Sequence, residues 1–200
     1  MPAGFDDSFH VITVNGSQRV TRAWGLGAPD VTFLQYNQIE GENTNAVAVR
    51  RVLQGERTKL LYVVRWRHNV DRLKSGLAAF NYQFDQLKIL RRTDRMALIG
   101  AVTGQINFET NNDIKSSTGI TAVLYAFHSG AKTVIISGID PDSNGHVYND
   151  ANLKRHHAAS DRDTLLALHR RGFGLYTADA NVARSSGLPF WAGPPRASDT

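Results

Sequence analysis

The feature that most constrains this chain is its rhythm. Short apolar, β-branched runs at residues 11–14, 31–34, 60–64, 96–99, 133–136 and 174–176 alternate with longer segments of helical character. Parallel strands need crossovers of a dozen or more residues, so this alternation predicts an α/β domain with a mostly parallel sheet flanked by helices. Residues 36–58 are too polar to assign to either element. With 200 residues, 42% of them hydrophobic, the chain fits one domain with a sizeable core. That domain is expected over residues 1–186. Residues 187–200 carry three prolines among small residues and read as a flexible tail.

Two helices stand out. Residues 118–129 are apolar on nearly every face, with Ser116, Ser117 and Thr118 as cap candidates and Gly130 as the stop. This predicts a buried helix against the sheet. The second is expected to start at Ser160, with Asp163 as capping-box partner, and to run through Leu165, Leu166 and Leu168 to Gly172. His169, Arg170 and Arg171 suit the negative end of its dipole.

Charge and composition exclude more than they choose. The formal charge is +5, and basic residues crowd the middle from Arg50 to Arg95, predicting a positive face that tolerates anionic partners. Without cysteine there is no disulfide, thiolate metal site or cysteine nucleophile. The first ten residues lack the order of a secretory signal, and no apolar run reaches the ~18 residues that span a bilayer. The expected address is the cytoplasm, with peripheral contact at an anionic inner membrane compatible with the basic face. No Gly-x-Ser-x-Gly, Walker or Gly-x-Gly-x-x-Gly pattern supports a hydrolase, a phosphate-splitting enzyme or a dinucleotide enzyme. Tyr62, Trp66, Phe80, Tyr82 and Phe84 interleave with arginines as base-stacking residues would, but core positions explain them more simply.

In an open parallel sheet, ligands bind beyond the carboxyl ends of the strands. Those positions are polar and glycine-rich here: Asn15, Gly16 and Ser17; Tyr36, Asn37 and Gln38; Ser137, Gly138, Ile139 and Asp140. The helix start at Ser117, Thr118 and Gly119 joins them. Backbone N–H groups, hydroxyls and amides of this kind can hold a nucleotide, although each piece alone also reads as an ordinary turn. Asp140, Asp142, Asn144 and Gly145 resemble the opening of a calcium loop, but Ala151 stands where its closing glutamate belongs. An Asp-x-Asp that grips a divalent metal is a second reading of the same carboxylates. His156 and His157 follow Lys154 and Arg155, which on the residues alone is a solvated basic loop.

The stretch at 115–148, KSSTGITAVLYAFHSGAKTVIISGIDPDSNGHVY, resembles the central block of the bacterial sialyltransferases of glycosyltransferase family 42. Asn15, Gly16 and Ser17 are similar to that family's Asn-Gly-Pro-Ser loop, and Tyr36, Asn37 and Gln38 to its Cys-Asn-Gln. His156, with Asp161 five residues on, matches its His and Asp before a leucine-rich helix. Residues 45–110 show no clear match. The resemblance implies a Rossmann-like, GT-A-like domain that moves a sialic acid or a related nonulosonic or Kdo-type sugar from a CMP-sugar, with inversion and without a metal or other cofactor. Asn15, Asn37, Ser117, Thr118 and Gly138 would then line the site for CMP, with Gly16, Ser17, Gly119, Ser137, Ile139 and Asp140 around them. It further implies His156 as general base and Tyr148 as donor to the leaving phosphate. Asp142 falls where the family has a second phosphate-binding tyrosine, so Arg65 or Lys115 is expected to supply that contact. A glycan or lipid-linked glycan is the expected acceptor, nucleic acid is not an expected partner, and a homo-oligomer is compatible with all of this. The rival from another class is a degenerate transferase fold that only docks on an anionic glycan or nucleic acid.

Overall fold

The computed structural model of the chain describes residues 1–105, 107–109, 115–140 and 157–194. Four strands form a wholly parallel sheet in sequential order: β1 (Ile12–Val14), β2 (Val31–Gln35), β3 (Arg57–Val64) and β4 (Gln83–Leu90). Val31 of β2 aligns with Ile12 on one side and Leu60 on the other. Two more strands, β5 (Thr133–Ile136) and β6 (Gly174–Thr177), pair in parallel as a separate two-stranded sheet. The molecule is thus the expected α/β domain with helix-flanked parallel strands.

Successive neighbours in a parallel sheet require crossovers of one hand, which puts the connecting helices on one face. These are α1 (Gln18–Ala23), α2 (Asn37–Glu40), α3 (Thr44–Leu53) and α4 (Val70–Ala78). Leu34, Leu61 and Val63 from the strands pack there on Val49 and Leu53 of α3 and on Leu73 and Leu77 of α4. Residues 36–58, unassigned from sequence, therefore hold two helices. Asn43 caps α3 by accepting from the Ala46 N–H at 2.9 Å, and Ala46, Val49 and Leu53 form its buried stripe.

After β4 the chain passes to the other face through α5 (Arg92–Thr103) and α6 (Thr118–His128). Helix α6 packs against β1, β2 and β5, and so joins the two sheets. Tyr125 meets the stacked rings of Phe33 and Tyr62 edge-on, at 5.3 and 5.1 Å between centroids. Burial, together with Tyr125, pushes the Tyr62 phenol up to about 12. On its other side α6 sends Ile120 and Leu124 into a core with Leu98, Ile136, Leu175, and Leu165 and Leu168 of α7 (Ala158–Arg170). The last helix among the described residues is α8 (Ala180–Ser186).

Three sequence expectations need correction. Residues 96–99 are the interior of α5, not a strand. Arg95, Leu98, Ile99 and Val102 are buried at helical spacing, and Asp94 reaches back to accept from the Arg91 N–H at 2.9 Å. The strand lies just before it, at β4. Second, α7 starts at Ala158 with His157 at the N-cap, so Ser160 and Asp163 lie inside the helix, and the Ser160 carbonyl accepts from the Thr164 hydroxyl at 2.8 Å. Third, residues 187–194 are packed. Leu188 is buried, Phe190 bridges to Thr177, and the Trp191 N–H donates to the Thr177 carbonyl at 2.8 Å. Trp191 sets its ring edge-on to Tyr176 and donates its indole N–H to the Ala3 carbonyl at 2.8 Å.

Candidate functional site

The carboxyl ends of β1 and β2 are tied to the start of α6 by polar side chains. Asn15 takes a left-handed φ of 48°, which asparagine tolerates better than most residues, and opens a single 3-10 turn over Asn15–Ser17. Its Oδ1 accepts from the Gln35 N–H at 3.0 Å, and the Ser17 hydroxyl oxygen accepts from the Val14 N–H at 2.8 Å. Gln35 Oε1 in turn accepts from the Thr118 hydroxyl at 3.4 Å. Gln35 is the link that joins Asn15 to Thr118, and no sequence signal marked it, because it reads as the last residue of a strand.

Ser117 is the N-cap of α6, and its Oγ accepts from the Ile120 N–H at 3.2 Å. The Ser117 N–H donates to Oδ1 of Asp161 at 2.9 Å. Asp161 is 0% exposed and lies in the first turn of α7. This bond fastens the beginning of α7, at His157, to the beginning of α6.

The end of β5 closes on the same helix start. A Cβ on Gly119 would stand 3.4 Å from Ile139 Cδ1, so the Ile139 side chain lies close against the helix start. Gly138 has φ of 70°, a value glycine adopts freely, and its N–H donates to Asp179 Oδ2 at 2.7 Å. Of the expected nucleotide-facing residues, Asn15, Thr118, Ser117, Gly119 and Ile139 are thus drawn together through Gln35 and the α6 start. Asn37 opens α2 and its Oδ1 accepts from the Gln38 side-chain amide at 3.1 Å. Asp142, Tyr148 and His156 lie outside the described residues. Among the described residues no three His, Cys, Asp or Glu side chains are grouped to hold a metal ion.

Beside this set, past β3 and β4, lies a concentration of cations. Arg65 follows β3 with φ of 64°, a backbone region uncommon for any residue but glycine. Burial, Arg95 and Arg67 hold its guanidinium below the usual arginine range, only partly offset by Glu109. Lys115 is lowered by burial and by the neighbouring charge of Arg65, with Arg95 and Arg92 adding to it. Beneath them Arg95, 2% exposed, pairs with Glu109, 0% exposed, and donates to the Ser116 carbonyl at 3.3 Å. Arg92 donates to the carbonyls of Phe108 and Glu109.

The stacking reading of the aromatics loses its surface, because Trp66, Phe80 and Tyr82 are buried and Tyr62 and Phe84 are part of the packed core. Two surface concavities, of about 330 and 470 Å³, lie away from the strand ends described above. One sits between Phe9, Asp30 and Lys59 at the amino ends of the strands, the other among Val47, Arg50 and Gly76 on the outer helices. No helix among the described residues is long and apolar enough to cross a membrane. No family model, curated protein or solved structure matches this chain.

Proposed function

We propose that the protein is a metal-independent glycosyltransferase that moves a sialic acid or related nonulosonic or Kdo-type sugar from a CMP-sugar to a glycan acceptor. The observation that supports this reading most is the bond from the Ser117 N–H to the buried Asp161. It joins the two sequence blocks on which the family resemblance rests, the 115–148 block and the block in which Asp161 stands five residues after His156, through residues 44 positions apart. Asn15, Gln35 and Thr118 add the amides and hydroxyl that a nucleotide needs at the same strand ends.

The chemistry asks little of the protein beyond position and charge. The bond from the sugar's anomeric carbon to the CMP phosphate breaks, and its electron pair leaves on the phosphate. The acceptor oxygen bonds the same carbon from the opposite face, inverting it, and gives up its proton to a general base. In this proposal His156 takes that proton and Tyr148 donates a hydrogen bond to the departing phosphate.

Calorimetric titration with CMP, CDP, UDP and GDP in chelator tests the donor side. CMP is expected to bind, and Thr118→Val and Asn37→Ala are each expected to weaken it about ten- to hundredfold. Equal CMP affinity in both variants moves the site elsewhere. With a CMP-sugar and acceptor, His156→Ala is expected to lower turnover by ~10²–10⁴-fold with CMP affinity kept, and His157→Ala to do far less. A protein that neither binds CMP nor releases it from a CMP-sugar in water is the docking module instead. Activity lost in chelator and restored by manganese favours the Asp-x-Asp reading.

A further inference from the structure

At the strand ends the side-chain oxygens already have partners. Asn15 Oδ1 accepts from the Gln35 N–H at 3.0 Å, the Ser17 hydroxyl oxygen from the Val14 N–H at 2.8 Å, and the Ser117 hydroxyl oxygen from the Ile120 N–H at 3.2 Å. A backbone N–H only donates, so each of these bonds decides which atom of the side chain faces the protein. Asn15 must turn its oxygen to Gln35, and its Nδ2 is left outside the bond. Gln35 repeats the arrangement, because its Oε1 accepts from the Thr118 hydroxyl at 3.4 Å. Among the described residues neither Asn15 Nδ2 nor Gln35 Nε2 has a hydrogen-bond partner, and both side chains are half-buried without these atoms being sealed from solvent.

The ends of β1 and β2 therefore hold out two amide N–H2 groups whose own oxygens are engaged. The two strands pair directly, so the groups start from backbones about 4.8 Å apart and can converge on adjacent atoms of one ligand. Such a pair suits neighbouring acceptors and opposes a donor. The charged phosphate of a nucleotide has the positive end of α6, which begins at Thr118, within the same set. The neutral amides are left for the neutral ring. Cytosine presents O2 and an unprotonated N3 side by side, both acceptors, whereas uracil presents O2 beside an N3–H. Against uracil one of the two amides would meet a donor and lose its partner, which is how a polar site rejects a near-isosteric ligand.

We propose that Gln35, with Asn15 beside it, determines the base specificity of the site: the two amides donate to O2 and N3 of a cytosine ring and exclude uracil. This rests on the nucleotide reading of the strand ends and adds to it the edge of the ligand that is read and the residue that reads it.

The test replaces donor by acceptor while keeping the bond that holds each side chain. Gln35→Glu retains an oxygen for the Thr118 hydroxyl, and Asn15→Asp retains one for the Gln35 N–H in a left-handed backbone that aspartate accepts. CMP and UMP are titrated calorimetrically into the full chain and each variant, and the ratio of the two affinities cancels the repulsion between a new carboxylate and the phosphate. The unaltered protein is expected to favour CMP by about ten- to hundredfold. Gln35→Glu is expected to bring the ratio to within about threefold of one, and Asn15→Asp, the second variant should Gln35→Glu fold poorly, to lower it in the same direction. Gln86→Glu, the same exchange at an exposed position of β4, is expected to leave the ratio unchanged. CMP and UMP affinities that fall together in Gln35→Glu overturn the proposal, because the amide then faces the ribose or the phosphate. Equal binding of CMP and UMP by the unaltered protein overturns it as well. Sugar transfer from a CMP-sugar with the CMP preference intact in Gln35→Glu removes the proposal and keeps the transferase. A preference abolished in Gln35→Glu, in a protein that transfers nothing from a CMP-sugar, keeps the base-reading site and removes the transferase reading.

Discussion

Replacing Asp161 by alanine probes the joint on which the site is hung. Its carboxylate is wholly buried, and its Oδ1 accepts the Ser117 N–H at 2.9 Å. A hydrogen bond to a charged group contributes about 1.5–3 kcal/mol, and the alanine variant also leaves the half-buried N–H of Ser117, at the cap of α6, without its acceptor. In a 200-residue chain each kcal/mol moves the melting temperature by about 2–4 °C, so a drop of about 3–12 °C is expected. The change is also local. The Ser117 amide can exchange with solvent only when this joint opens, and weakening it by about 1.5–3 kcal/mol speeds that exchange by roughly ten- to hundredfold. Amide exchange followed by NMR, with Ser117 read against the amides of β3, separates the local effect from global loss. Asp161→Asn keeps an acceptor oxygen and is expected to fall between the two. An alanine variant whose Ser117 amide exchanges no faster than in the wild type refutes the reasoning, because the bond would then hold nothing.

Gly76→Ala is expected to destabilise although alanine is the better helix former. A Cβ at this position stands 2.5 Å from Cγ2 of the buried Ile39, and overpacking of about 1–3 kcal/mol outweighs the ~1 kcal/mol of helix propensity; a raised urea midpoint would show that α2 gives way instead. Stability is expected to fall as pH drops below about 4. Burial pushes the Asp30 carboxyl up, but Lys59 at 2.7 Å and the Val11 N–H at 2.8 Å outweigh it, and the Arg72 fork likewise lowers Glu40 against a smaller push from burial. Both groups therefore bind protons more readily unfolded, so their contribution is present above the unfolded carboxylate range and is lost in acid; urea midpoints from pH 6 to 3 should decline less steeply in Lys59→Met.

What could be read from the sequence follows from which residues carry their environment in their type. Strands β1, β2, β3, β5 and β6 each contain a short run of β-branched residues, leucine or aromatics, and each was legible. Strand β4 was not, because an edge strand with Gln83, Asp85, Gln86 and Lys88 turned to solvent loses the apolar signature of a buried parallel strand. The apolar residues at 96–99 imitated the missing strand, and only the burial of Arg95 and Val102 on the same stripe shows their helical period. Asn37 to Leu53 hid two helices behind polar residues, since only one side of each is covered.

The candidate site divides the same way. Caps and turns such as Ser117 and Gly138 announce themselves, because their residue types suit one backbone conformation. Their partners do not. Asp161 reaches Ser117 across 44 residues and Asp179 reaches Gly138 across 41, and nothing in either carboxylate's own neighbourhood foretells the pairing. The same holds for Arg95 and Glu109, 14 residues apart, whose burial turns two ordinary surface residue types into the floor of a charged cluster.

The contact of Trp191 with Ala3 spans 188 positions of sequence. Ala3 lies in the segment that precedes β1 of the larger sheet, and Trp191 is bonded to Thr177 at the end of β6 in the smaller one. Among the described residues the two sheets share no strand pairing, so without this strap the smaller one would be bound to the larger chiefly through α6. With it, the smaller sheet is tied to the segment before β1 as well. Opening β5 and β6 would have to break the indole bond and reopen a loop of nearly the whole chain, whose closure entropy grows only with the logarithm of its length and is therefore modest to hold once formed. The strap adds a second tie between two hydrogen-bonded sheets that α6 already joins.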